Sequence, residues 1–311
     1  MQTMTDEVLD RARSHARAPQ ERGAKIIDGK VVAAQMREAL AGRVRHLAAA
    51  GGIIPGLAVI LVGDNPASRV YVKNKVLACA AVGVHSLEYR LPADTTTEHL
   101  VGLIATLNTT KSVHGILVQL PLPPHINMRL VLESIAVHKD VDAFHLYNVG
   151  ALVAGSTVFP PCTPYGVLKL LEHEKIPIEG QNIVVVGASN IVGKPMALML
   201  TQRDATVCIC HAKTRDLAQF TILADILVVA AGCPNLILPQ MVKTGAVVID
   251  VGINRLPDGR ITGDVDFEGV RAKASYITPV PGGVGPMTVT MLLENTVAAA
   301  ERAAAAAPVV T

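Results

Sequence analysis

Tryptophan is absent from the 311-residue chain, and only five tyrosines and four phenylalanines are present. Large aromatic anchors therefore cannot build its interior, which falls to Ala, Val, Leu and Ile, a composition suited to buried parallel strands covered by helices. Runs of Lys or Arg are missing and the formal net charge is only +2, which excludes the electrostatic footprint of a nucleic-acid binder. Apolar runs such as Ile226 to Ala231 and Ala246 to Ile249 fall far short of the roughly 20 residues of a membrane-spanning helix. Cysteine is scarce: Cys79, Cys162, Cys208, Cys210 and Cys233 form no CxxC pair and no zinc-like spacing with histidine, so they read as reduced thiols of a cytoplasmic protein without a metal site. In residues 1–23, Arg11, Arg13, Arg17 and Arg22 are balanced by Asp6, Glu7, Asp10 and Glu21. A transit peptide is poor in acids, so this segment reads as an N-terminal extension.

What is present is alternation. The length exceeds a single hydrophobic core, so two domains are expected. From Gly56 an apolar run to Val62 is followed by a Gly-Asp-Asn-Pro turn, a helix from Ser68 to Ala81, a strand from Val84 to Leu91, a helix from Thr97 to Leu107, a strand from Gly115 to Leu120 and a helix from Met128 to Ala136. After the Pro- and Gly-bearing stretch Gly150 to Pro164 and a helix to Lys175, a second series runs through strands at Asn182, Thr206, Ile226 and Ala246. The reading is α/β: two α/β domains flanking a cleft, the second a Rossmann-like nucleotide-binding domain. The Ala-rich segment Thr288 to Ala306 is helical by propensity and can return to pack on the first domain.

Between Val186 and Pro195 a buried strand ends in Gly187, and a helix opens after Gly193. Such a turn points backbone N–H groups and a helix dipole at a pyrophosphate. Its spacing is not GxGxxG, and a tight strand-to-helix connection without a ligand is the competing reading. About 20 residues on, where an NAD site usually carries a carboxylate, the chain instead has His211, Lys213, Thr214 and Arg215. His211, Lys213 and Arg215 offset a 2′-phosphate, favouring NADP with NAD as the alternative, or else form a solvated loop face.

Chemistry-bearing residues recur in the first series. Tyr71 and Lys75 are four apart on a helix and share a face. They read as a desolvated acid/base with a stacking partner, or as ordinary surface. Gln119 interrupts an apolar strand end, where α/β proteins bind ligands or where a core amide is simply satisfied. Asp142 accepts hydrogen bonds from an amino-heterocycle or caps a turn. Pro281, Gly282 and Gly283, just before the last helix, allow close backbone approach to a ligand.

Six ordered blocks resemble the bifunctional methylenetetrahydrofolate dehydrogenase and methenyltetrahydrofolate cyclohydrolase family: Val62 to Ser68 with Tyr71 and Lys75, the Gln119 block, Lys139 to Asp142, Gly187 to Pro195, Asp250 to Asn254, and Pro279 to Thr288. The match runs from about Ile26 to Thr296. The resemblance implies a catalytic Lys75 partnered by Gln119, a stacking wall at Tyr71, and a pterin anchor at Asp142. It also implies a folate-binding loop at Pro281 to Gly283 and a cofactor lining of Gly187, Ala188, Ser189 and Ile253, to which the His211, Lys213 and Thr214 loop is added. The implied domains are a folate-binding catalytic unit, 24–163 plus 289–311, and a Rossmann-like NADP-binding unit, 164–288. The implied partners are a tetrahydrofolate substrate and a second copy in a homodimer. The chain departs from the family at Ala188, where many relatives carry Arg, at Ala212, where they carry Ser or Arg, and at Ala143, where Gly is usual. A dehydrogenase lacking the hydrolase step and a non-catalytic nucleotide sensor are the competing readings.

Overall fold

A computed structural model describes residues 23–306; the N-terminal extension assigned to 1–23 falls outside the described residues up to position 22. The strands are β1 (Lys25–Ile26), β2 (Gly56–Val62), β3 (His85–Leu91), β4 (Gly115–Val118), β5 (Asn182–Val186), β6 (Thr206–Cys210), β7 (Ile226–Val229), β8 (Val247–Asp250), β9 (Asn254–Arg255), β10 (Ile261–Thr262) and β11 (Tyr276–Ile277). The helices are α1 (Gly29–Gly51), α2 (Pro66–Val82), α3 (Thr97–Thr109), α4 (Met128–Ser134), α5 (Leu146–Val153), α6 (Cys162–His173), α7 (Gly193–Thr201), α8 (Leu217–Thr221), α9 (Phe267–Arg271) and α10 (Val284–Ala306).

Two parallel sheets result. The first has the order β3-β2-β4, the second β1-β11-β8-β7-β5-β6. Strands β2, β4, β5, β7 and β8 are buried along their length apart from Asn182. A strand covered on both faces reads as a continuous apolar run. In each sheet the chain leaves a central strand toward one edge and later returns on its other side. That reversal opens a crevice at the strand C-termini, between β2 and β4 and between β5 and β7.

Helix α1 fills 23 residues that carry no strong alternating signal. Asp28 caps it, accepting from Lys30 N at 2.9 Å, and Gly29, Val32, Ala33, Leu40 and Val44 form its buried stripe. The last helix starts at Val284, four residues before the expected Thr288. It packs on α6, α1 and α2, so one apolar cluster runs from Val59 of the first sheet through Leu292 and Leu293 to Val185 of the second. Strand β1 joins the second sheet: Lys25 N donates to Ser275 O and Ile27 N to Ile277 O, both at 2.9 Å. Strand β4 ends at Val118, two residues short of the expected limit, yet Gln119 N still donates to Ile60 O at 2.8 Å.

Ala143 is buried with φ 64. The left-handed region costs an L-residue roughly 1–2 kcal/mol, a cost that glycine would avoid. Among the described residues no helix is long and apolar enough to cross a membrane, and all five cysteines are free thiols.

Candidate active site

Helix α2 begins where Asn65 Oδ1 accepts from Ser68 N at 3.2 Å. Its buried residues include Ser68, Val72, Lys75, Ala78, Cys79 and Val82, so helical periodicity places a lysine where an apolar residue belongs. Lys75 is only 8% exposed, and burial lowers its pKa from the ordinary lysine value, opposed by the negative charge of Asp142. Its Nζ donates to Gln119 Oε1 at 3.0 Å. Gln119 Nε2 in turn donates to Leu120 O at 2.7 Å, which fixes the amide so that its oxygen faces the lysine. An amide orients Lys75 without the full charge that a carboxylate would use to hold the proton.

Asp142 completes this group. A bridge between Ile116 and Asp140 runs parallel to β4, setting Asp142 beside the end of that strand, at the same crevice as Gln119. Burial raises the Asp142 pKa above the usual carboxylate range, and the nearby Lys75 pulls it down. Lys75, Gln119 and Asp142 are thus brought together at the C-terminal edge of the first sheet.

Tyr71, one turn before Lys75, lines a cleft of about 630 Å³ with Ile253, Pro281, Gly282 and Gly283. Lys75, Gln119 and Asp142 are not among the residues that line this cleft. Lys30, Arg37 and Asn74 also border the cleft and were not singled out by spacing, because they are common surface residue types.

The nucleotide turn lies at the crevice of the second sheet. Gly187 has φ +124, and a Cβ there would run into the Ala230 carbonyl at the end of β7. A Cβ on Gly193 would likewise strike the Gly187 carbonyl. Only glycines let the chain turn this tightly, leaving backbone rather than side chain facing the crevice, an arrangement that fits a pyrophosphate. Ala188 is half-buried and Ser189 exposed. The Ser189 hydroxyl accepts from Val192 N at 3.1 Å and Gly193 N at 3.3 Å, so it closes the turn that leads into α7. The next loop is self-bonded: His211 N donates to Thr214 Oγ1 at 3.0 Å and Lys213 N to His211 Nδ1 at 3.1 Å. His211, Lys213 and Arg215 are exposed there, and among the described residues none has an ion-pair partner.

Two buried carboxylates shape the far wall. Asp264, wholly buried, accepts from Ala231 N at 2.7 Å, Gly232 N at 2.9 Å, Cys233 N at 2.9 Å and Asn254 Nδ2 at 2.8 Å. Asp250 accepts from Gly252 N at 2.9 Å, Asp264 N at 3.0 Å and Val265 N at 3.0 Å, and burial pushes its pKa up to about 6. Replacing Asp264 by alanine orphans three backbone donors. It is expected to cost about 3 kcal/mol, read as an earlier urea-unfolding midpoint. An unchanged midpoint would mean that water satisfies the loop.

The profile described as tetrahydrofolate dehydrogenase/cyclohydrolase, catalytic domain, matches residues 27–142, and that of the NAD(P)-binding domain matches 161–304. The chain is 62% identical over 280 residues to the bifunctional protein FolD of Nitrosospira multiformis, covering 90% of this chain and 97% of that one. The solved FolD methylenetetrahydrofolate dehydrogenase/cyclohydrolase of Campylobacter jejuni is 56% identical with TM-score 0.88, covering 90% and 99%. The Trypanosoma brucei enzyme, complexed with NADP and an inhibitor, is 40% identical with TM-score 0.88, covering 92% and 99%.

Proposed function

The chain belongs to the tetrahydrofolate dehydrogenase/cyclohydrolase family, and on that premise we propose that it oxidises 5,10-methylenetetrahydrofolate with NADP and hydrolyses the 5,10-methenyl product to 10-formyltetrahydrofolate at one site. The observation that carries this reading is the buried Lys75 held by Gln119.

Asp142 anchors the pterin by accepting from its amino and ring N–H groups, and Tyr71 stacks on the aminobenzoyl ring. The Pro281 to Gly283 loop closes over the same ligand. Lys75 moves protons in the hydrolytic half. As a neutral amine it takes a proton from the water attacking the methenyl carbon, and as an ammonium it returns one to the nitrogen that leaves when the ring opens. Burial lets it exchange protons at lower pH than an exposed lysine. Gln119 keeps the amine aimed throughout.

NADP fits the second crevice: Gly187, Ala188 and Ser189 would meet the pyrophosphate, Ile253 the nicotinamide side, and His211, Lys213 and Thr214 the 2′-phosphate. Bound there, it supplies the hydride acceptor. We place the folate half on the first sheet and the nucleotide half on the second, in a cytoplasmic homodimer. With methylenetetrahydrofolate and NADP, absorbance at the reduced-nicotinamide band is expected to rise, more slowly with NAD. Silence with both cofactors would sink the enzyme reading.

A further inference from the structure

The turn that presents Asp142 depends on a left-handed residue that is not glycine, and one distant side chain holds it. Around Ala143, Asp140 Oδ2 accepts from His145 N at 2.8 Å and Asn148 Nδ2 at 2.7 Å, and Ala143 N donates to Asp140 O at 3.2 Å. Those bonds fix the downstream side. On the upstream side, the Val141 carbonyl accepts from Asn295 Nδ2 at 2.8 Å and from the Cys162 thiol at 3.3 Å. Asn295 Nδ2 also donates to Pro160 O at 2.9 Å and sits 3.7 Å from Cys162 Sγ.

Asn295 is 2% exposed and lies on α10, 154 residues from Val141. It does not border the cleft. An amide nitrogen has two N–H groups, which answer two buried carbonyls at once. Neither a carboxylate nor an aliphatic side chain of that size supplies both. Burial also holds the Cys162 thiol protonated, its pKa raised well above normal, so the sulfur stays a donor next to Val141 O and within reach of the Asp142 carboxylate.

We infer that Asn295 is a positioning residue for Asp142: from the C-terminal helix its amide clamps the Val141 and Pro160 carbonyls, fixing the left-handed turn that aims the carboxylate at the folate. The inference rests on the assignment of Asp142 to the folate site. The clamp also ties the end of the first α/β series to the start of α6, so Asp142 is set by the last helix, which packs on α6, α1 and α2.

The test uses Asn295→Asp, which keeps the shape and removes the clamping donors, and Asn295→Ser, which keeps one donor and covers the case where the first variant fails to fold. Folate KM, NADP KM and the thermal midpoint are measured for each. The expected result is a folate KM raised about tenfold with the NADP KM unchanged. Adding Ala143→Gly recovers part of that loss, because glycine takes the left-handed turn without being held. Folate and NADP KM rising in parallel, or no rescue by Ala143→Gly, would assign Asn295 a purely structural role and overturn the inference. An Asp142→Asn protein with a normal folate KM removes the anchor and with it the clamp. A normal folate KM in the Asn295 variants beside an impaired Asp142→Asn overturns the clamp alone.

Discussion

Replacing Lys75 by methionine is expected to lower methenyltetrahydrofolate hydrolysis about 10³-fold, the usual scale of a lost general acid/base, while a folate analogue still binds. Methionine keeps the length and apolar stem of lysine, so the α2 stripe stays filled. Stability moves in the opposite sense from activity. Because burial lowers the folded-state pKa of Lys75, the native protein binds fewer protons than the unfolded chain between that lowered value and about 10.4. Stability from this group therefore rises with pH across that window and is least below it, where a cation stays buried. Lys75→Met removes the penalty, so its urea midpoint at pH 7 is expected to equal or exceed the parent's. In the parent, hydrolysis rises with pH along a limb whose midpoint lies below that of an exposed lysine. Parent-like hydrolysis in the methionine variant would remove Lys75 from the chemistry.

Gly187→Val is expected to separate the two activities. Gly187 has φ +124, and a side chain there would strike the Ala230 carbonyl. Backbone strain alone amounts to about 1–3 kcal/mol, and the turn must shift to relieve the clash. NADP affinity should fall roughly 10- to 100-fold or more, with the dehydrogenase reaction falling alongside. Hydrolysis, which needs only the first crevice, should persist. A titration of NADP against the variant checks this, and parent-like affinity would place the pyrophosphate elsewhere.

The alternation of β2, β4, β5, β7 and β8 was legible because each strand is an apolar run closed by Gly, Pro or Asp. Helix α1 was not, since its stripe is short-chained and interrupted by Arg37 and Arg43, which dilutes the periodic signal. Strands β1 and β11 have two residues each, too few for any period, and they pair across the length of the chain. The residue types at Tyr71, Lys75, Gln119 and Asp142 were visible, but spacing left surface and core roles open for each. What spacing does not show is the burial of Lys75 and its bond to Gln119, which arise only in the folded chain. Asp264 gave no local signal, because its partners Ala231 to Cys233 lie more than 30 residues away. The hydroxyls of Ser189 and Thr214 also accept from backbone N–H groups of their own loops, a local role that spacing does not show and that leaves each O–H free to donate.

A crystal structure with a tetrahydrofolate analogue and NADP bound together tests the central claim most directly, that two crevices form one bifunctional site around Lys75. The account predicts the analogue's ring system stacked on Tyr71, its pterin on Asp142 and its one-carbon bridge beside Lys75 Nζ, with the nicotinamide reaching the same carbon from the Gly187 side. An analogue seated in the cleft with Lys75 and Asp142 out of reach would contradict it.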